Sequence, residues 1–464
     1  MRGKRVRRLI LSPIILLALA SCEQGVGPTT EEPTETGDPP ASSTPQWTWV
    51  AGSNVPNQSG IYGTQGVAAS GNVPGARSRA ASWIDGDGDF WVFGGFGNAA
   101  ESLGDLNDLW RYDGVNWTWI SGDHDPGNQG QYGTKGVGAL GNAPPARSGP
   151  TPWSGTDTMW LFGGSRFSIN GPALFNDLWR YDGVNWTWIS GDDGINQSGT
   201  YGERGIASPA NVPGARTGAT GWVDSEGSLW LFGGSGFDES GTHGDLNDLW
   251  RFDGANWTWI SGDNSANSSG EYPEEGPTLV ERLPVPGGRS GAAGWIDDDN
   301  NLWVFGGFGY DGDGVRGRLN DMWYFDGSDW VWISGSDSVN QTGTYGNQGV
   351  TATDNDPGAR SSAAYWNDSD GFWLFGGFGF ASDLDSGRLN DLWYFDGTAW
   401  TWITGADSTD QAGVYGTRGV AAPGNEPGAR SGAAFQPGPD GELLLFGGTT
   451  QATDSNNDLW HFGE

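Results

Sequence analysis

Apolar and polar positions alternate in short runs along this chain, and the runs recur. After Arg77 comes a small-residue run closing on an aromatic, "SRAASW", then a polar turn, "DGDGD". Next is an apolar run, "FWVF", ending on Gly94 and Gly95. A variable polar stretch leads to "NDLWRYD", a short turn, and "WTWISG" ending at Gly122. These are four strand signals bounded by Gly, Asp and Asn turns. Trp117 and Trp119 lie two apart, so a strand puts them on one face. "WVF" is apolar on both faces, as suits a strand covered on both sides. No segment holds a 3.6-residue apolar period, so no helix is predicted.

The whole period repeats. "NDLWRYDGVNWTWISG" occupies Asn107–Gly122 and again Asn176–Gly191. Variants of its first four residues start at Asn247, Asn320, Asn390 and Asn457, and a Gly-Gly doublet precedes each of the six copies. Fixed self-similarity at roughly 70 residues signals a repeat architecture. Four antiparallel strands per repeat, six times over, predict an all-β fold: a six-bladed β-propeller of four-stranded antiparallel blades. Small residues such as "SGAA" at Ser290–Ala293 suit the crowded axis, and the Trp-x-Trp pairs suit the roomier rim. The repeats start with a fourth strand, "QWTWVAG" from Gln46, and stop after a third, "NDLWHFGE" at Asn457–Glu464. The N-terminal strand is therefore expected to complete the last blade, closing the ring and covering a sheet edge.

The segment before the repeats reads differently. Met1–Arg8 is basic, Leu9–Ala20 is apolar but too short for a spanning helix, and Leu19-Ala20-Ser21-Cys22 looks like a bacterial lipobox. Residues 1–22 are thus expected to be a lipoprotein signal with Cys22 as the acylated residue, anchoring the chain to a bilayer. Residues 23–45, rich in Pro, Thr, Glu and Gly without an aromatic, are expected to be a disordered tether, leaving 46–464 as the propeller. Cys22 is the one cysteine, which excludes an intramolecular disulfide. The 28 tryptophans all fall after residue 46 and supply a core. A formal charge of −34 argues against nucleic acid as a partner.

The apolar run ending in Gly-Gly, followed by a Tyr/Phe-Asp turn and a Trp, resembles the kelch repeat in all six copies, though the period exceeds the usual length of about 50 residues. That resemblance implies a galactose-oxidase-like propeller superfamily whose members include sugar oxidases, sialic-acid mutarotases and protein-binding adaptors. A copper oxidase needs a Tyr–Cys cross-link and two His ligands. This chain has no spare cysteine, and its histidines are His124, His243 and His461. No cofactor and no metal are expected.

Alternate connections of an antiparallel blade emerge on opposite faces. The first-to-second and third-to-fourth turns are short. The second-to-third and fourth-to-first connections are expected to be long loops crowding one face, where ligands would bind. Four features carry alternatives, three on that face and one, the Asp-rich turns, on the other. Tyr62, Tyr132, Tyr201, Tyr345 and Tyr415 would either stack sugars or clip neighbouring blades, and their repetition favours the clip. Arg77, Arg147, Arg216, Arg289, Arg360 and Arg430 would either ring the channel mouth as an anion site or pair with the recurring Asp108, Asp177, Asp248, Asp321, Asp391 and Asp458. Asp-rich turns such as "DGDGD" lack the ligand spacing of a calcium loop and suit hairpins. Departures from symmetry single out Glu274, Glu275 and Glu281 in the fourth long connection, and Asp238, Glu239, His243, Tyr310 and Asp311 in the second-to-third loops. The expectation is a monomeric protein of the bacterial cell envelope, lipid-anchored in the outer membrane, that binds an envelope protein or glycan through this face. The alternative is a carbohydrate-active enzyme of sialic-acid mutarotase type.

Overall fold

The computed structural model describes residues 45–463 except 156–157, 169–170, 172, 274–282, 369, 439–441 and 452. Cys22 and the tether therefore lie outside the described residues, as do Glu274, Glu275 and Glu281. Among the described residues there is no helix long and apolar enough to cross a membrane.

The described chain is all β and forms a six-bladed propeller. The first blade runs outward from Ala81–Ile84 through Phe90–Asn98 and Leu103–Tyr112 to Trp117–Ser121. Each later blade repeats this order. The last is built from Ala434–Pro437, Leu443–Phe446, Leu459–Gly463 and, from the other end of the propeller, Gln46–Ala51. Trp47 pairs with Phe462 and Trp49 with Trp460 in antiparallel register, as the ends of the repeat array suggest. The closing Trp47 is buried against Phe375 of the neighbouring blade, with ring centroids 5.1 Å apart.

Neighbouring blades interlock through their aromatic faces. Phe93 of the first blade meets Trp186 of the second, and Phe162 of the second meets Trp257 of the third. Inner-strand tryptophans also hydrogen-bond across the seam: the Trp153 indole donates to the Trp230 carbonyl. Every blade-to-blade surface is thus apolar with a few directed bonds, which is why "WVF" is apolar on both faces.

One expectation needs correction. The second-to-third connections are not long loops in most blades. The two strands run on past the Gly-Gly doublet and are linked only by residues 99–102 in the first blade. Gly94 and Gly95 take φ of 63° and 94°, where the pairing register shifts between Phe93 and Gly95. The glycines form a bulge that bends the ribbon and lets it continue. The result is a two-stranded arm rising from the face. The third, fourth and fifth blades have the same arm, Leu229–Phe237 with His243–Phe252 in the third.

Trp47→Ala removes a buried aromatic from the closing strand and is expected to cost about 3–5 kcal/mol. Urea unfolding followed by tryptophan fluorescence measures it; a stability equal to that of the wild type would show that closure does not hold the ring.

Candidate functional site

The arm-bearing face is built on six copies of one buried clamp. Each of Arg77, Arg147, Arg216, Arg289, Arg360 and Arg430 forks onto the aspartate of its own blade. Nη1 donates to Oδ1 at 2.6–2.8 Å and Nη2 to Oδ2 at 2.7–2.8 Å. Arg77 Nη1 also donates to the Gly94 carbonyl, and its Nε to the Gly75 carbonyl, with the same pattern in every blade. The aspartate Oδ2 accepts two further bonds, from the indole of the tryptophan two residues on and from the tyrosine hydroxyl of the preceding long connection. In the first blade these are Trp110 and Tyr62. All six arginines are at most 1 % exposed and all six aspartates are fully buried.

The arginines therefore do not line the channel mouth as a free anion site. Their donors are spent inside the blade because each one sits at a junction. The Arg147 backbone N–H donates to Leu106 of the preceding blade, and its carbonyl accepts from Gly95 there. Burial opposes the charge on each arginine, but the bidentate carboxylate outweighs it and holds the guanidinium above its ordinary pKa. The tyrosines are not a sugar platform either. Tyr62 packs edge-on against Trp119 at 5.2 Å, and Tyr201 is 1 % exposed. The fourth blade, which lacks the Tyr-Gly turn, keeps the contact through Tyr272 and Asp321.

Inside the clamps lies a second ring. The N–H of Arg79 donates to Gly432, Gly432 to Ser362, Ser362 to Gly291, Gly291 to Gly218, Gly218 to Gly149, and Gly149 back to Arg79. This closed belt of backbone bonds, 2.7–2.9 Å long, circles the axis. Every member has positive φ, between 55° and 65°, and glycine fills four of the six positions. Arg79 and Ser362 hold the same conformation at a steric cost of roughly 1–2 kcal/mol. A hydroxyl residue precedes each belt member: Ser78, Ser148, Thr217, Ser290, Ser361 and Ser431. A channel of about 550 Å³ runs along the axis past the belt. Its walls are mostly tryptophan and small residues. Tyr365 and Phe435, with ring centroids 4.8 Å apart, fill one side, while Gly221 and Gly294 leave room elsewhere. Arg79 is the one charged side chain on its described lining.

The residues singled out on the arms divide into two groups. Asp238 and Asp311 are buried and spent on the fold. Asp238 accepts from the Thr242 and Ala266 N–H groups, and Asp311 from those of Val315 and Val339, so each carboxylate fastens an arm tip to the following connection. Glu239, His243 and Tyr310 stay nearer the surface: Glu239 accepts from Asn264, His243 leans on Phe237 at 5.2 Å, and Tyr310 pairs through its backbone with Arg316. Asp123, His124 and Asp125 also cluster, but on exposed turn positions where Asp123 already accepts from Asn128 and from the Asp125 N–H.

Sequence reasoning passed over a set the structure gathers beside the mouth. The residue just before "LND" is Asp105 in the first blade and Asp245 in the third, but Arg318 in the fourth and Arg388 in the fifth. Arg318 lies 4.2 Å from the Phe378 ring, and Arg388 lies 5.4 Å from it on the adjoining arm. Arg316 is 4.6 Å from Phe308 and donates to Asp245 at 2.6 Å. The change from "GDLND" to "GRLND" was the available signal. The first blade has its own recess of about 450 Å³ around Arg79, Phe96 and Asp105. There the Asp105 carboxylate accepts from the Phe167 N–H, and burial holds it above its usual pKa against that bond.

No protein-family model matches the chain, and no curated protein matches it. Among solved structures it is similar to one titled "Structure of YjhT", at 14% identity over 86% of this chain and 95% of that chain, with a TM-score of 0.48.

Two predictions follow the clamp. Arg216→Ala leaves Asp248 buried without its counter-charge and is expected to cost about 3–5 kcal/mol; an unchanged denaturation midpoint would contradict the clamp. Burial first, and then the aspartate partner, raise the six clamp tyrosines well above the ordinary 10.0. Their stabilising contribution is complete below pH 10.0 and is lost as pH rises beyond it, since only the unfolded chain ionises readily there. Tyrosinate absorbance is expected to appear together with loss of β structure; ionisation of these tyrosines in the intact fold would refute it.

Proposed function

We propose that this chain is a kelch-type binding module of the bacterial cell envelope. In this reading Cys22, once acylated, holds it to a lipid bilayer, and the arm-bearing face engages a protein or glycan. Glu23 rather than Asp follows Cys22, which suits the outer membrane by resemblance to enterobacterial sorting. The supporting observation is the contrast within one face. One clamp repeats in each of the six blades, while the arm and mouth residues above it change from blade to blade: Asp105, Leu174, Asp245, Arg318, Arg388 and Ser455 at one position. Rigid scaffolds with variable projecting segments suit recognition. The mutarotase alternative gains nothing from the channel, whose described lining has no carboxylate to act as acid or base.

Two experiments test this reading. Cys22→Ser is expected to move the protein from the membrane to the soluble fraction and abolish palmitate labelling; a label that persists would defeat the anchor. A glycan array and affinity capture from envelope extracts are expected to yield a ligand that wild type retains and a chain carrying His243→Ala, Val315→Asp and Leu384→Asp loses. These three side chains are exposed on different arms. Equal retention by both chains would move binding off this face.

A further inference from the structure

The two arginines passed over in the sequence have a feature the clamp arginines lack. Among the described residues no carboxylate pairs with the guanidinium of either Arg318 or Arg388. Arg318 Nε donates only to the Phe378 carbonyl at 3.0 Å. Arg388 Nε is buried without a hydrogen-bond partner. The nearby carboxylates are engaged: Asp245 holds Arg316, and Asp410 accepts the Arg388 backbone N–H. Both guanidiniums are partly covered, flanking the Phe378 ring at 4.2 and 5.4 Å. Burial lowers both pKa values, with no opposing carboxylate for Arg318 and only Asp410 acting against it for Arg388. A partly desolvated guanidinium without a counter-ion leaves a cost standing that an incoming anion would offset. It is notable chemistry for a chain of formal charge −34, where most surface charge repels anions.

The backbone around these arginines selects the kind of ligand. A peptide that adds a strand needs a free sheet edge. Here the arm edge is already taken. Asn340 donates its N–H to the Arg318 carbonyl and accepts the Arg318 N–H at its side-chain oxygen, and Asp410 does the same for Arg388. Recognition is therefore left to side chains. Beside the arginines are the Phe308 and Phe378 rings, each paired across its arm with an arginine, and one strand further in the hydroxyl residues Ser290 and Ser361 pair in register with those phenylalanines. Guanidinium, aromatic ring and hydroxyl together match a polyhydroxylated ligand bearing carboxylates.

We propose that Arg318 and Arg388, on the adjoining arms of the fourth and fifth blades, form an oxyanion subsite that takes the carboxylates of an acidic saccharide. The inference rests on the binding-module reading and names the ligand class for its face. Each arginine contributes charge-assisted bonds to the ligand, and Phe378 holds the two planes in place.

The test is calorimetric titration of the full chain with an oligogalacturonate, with oligoglutamate and with a neutral galactose oligomer. Arg318→Gln, Arg388→Gln and the control Arg180→Gln are titrated alongside wild type, and thermal unfolding confirms that each variant is folded. Arg180 sits on the flank of the second blade, 5.8 Å from Trp160. The expected result is saturable oligogalacturonate binding, weakened about tenfold or more by either arm substitution and unchanged by Arg180→Gln. It should also weaken with added salt. Equal affinity in the arm variants, comparable binding of the neutral oligomer, or tighter binding of oligoglutamate would each overturn the proposal. If oligogalacturonate fails while another ligand from the array is lost in the His243, Val315 and Leu384 chain, the subsite falls and the binding module stands. If no ligand is lost in that chain either, both fall.

Discussion

Everything on the working face depends on a buried arginine–aspartate pair. An ion pair removed from water pays a large desolvation penalty, and the mutual attraction offsets it only when the remaining donors and acceptors are satisfied. In each clamp they are. The guanidinium has the aspartate, the first glycine of the doublet and a carbonyl two residues back as acceptors; the carboxylate has arginine, tryptophan and tyrosine as donors. One side-chain pair thus joins the start of the inner strand, the bulge in the second strand, the third strand and the incoming connection. Its backbone reaches the preceding blade as well. A chain without an intramolecular disulfide obtains its cross-links here.

The clamp also explains why the face varies so freely. The bulge at Gly94 and Gly95 is held from below by Arg77 and from the side by the Arg147 carbonyl. Most of what rises above it lies outside the apolar core, Ala381 at the tip of the fifth-blade arm being an exception. The αL residues Asn267, Asn340 and Asp410 close the arm edges of the third, fourth and fifth blades by pairing with both backbone groups of the strand beside them, and Asn57 and Asn196 make the same pair of bonds with Ser455 and Leu174. Asn and Asp tolerate that conformation because their short polar side chains bond locally. Covered edges let an arm carry Asp, Leu, Arg or Ser without inviting strand addition.

What was legible in the sequence follows the same division. Strands that pack against neighbouring blades announce themselves: "FWVF" and "WTWI" must be apolar, and the orphan strands at Gln46 and Asn457 must find each other. The arms were misread as loops because their strands pair mainly with each other. Residues such as Gly97, Asn98 and Gly104 carry no apolar side chain, so no hydrophobic alternation marks them as strand. The Arg–Asp pairing was one of two open readings, since both residues recur but lie about thirty positions apart, as Arg77 and Asp108 do. The tyrosine's role was half visible. Its repetition suggested a clip, but not that its target was the same aspartate 46 residues away. Arg318 and Arg388 were visible only as letters in "GRLND". Their want of a paired carboxylate is a property of three-dimensional surroundings, and no spacing rule reports it.

Charge placed this way is selective in two directions. A net charge of −34 repels acidic molecules at long range and keeps them from adhering indiscriminately. At ionic strengths near physiological that repulsion fades beyond roughly 8 Å, so in the proposed subsite the guanidiniums would act on a ligand already at the mouth. Desolvation by Phe308 and Phe378 strengthens them at that distance, because a contact partly shielded from water is screened less than an exposed one. The clamp arginines carry the same charge and do none of this, since their fields are cancelled by the aspartates they hold. A carboxylate paired with the guanidinium in the clamp, and none so paired on the arm, separates a structural arginine from one left available to a ligand.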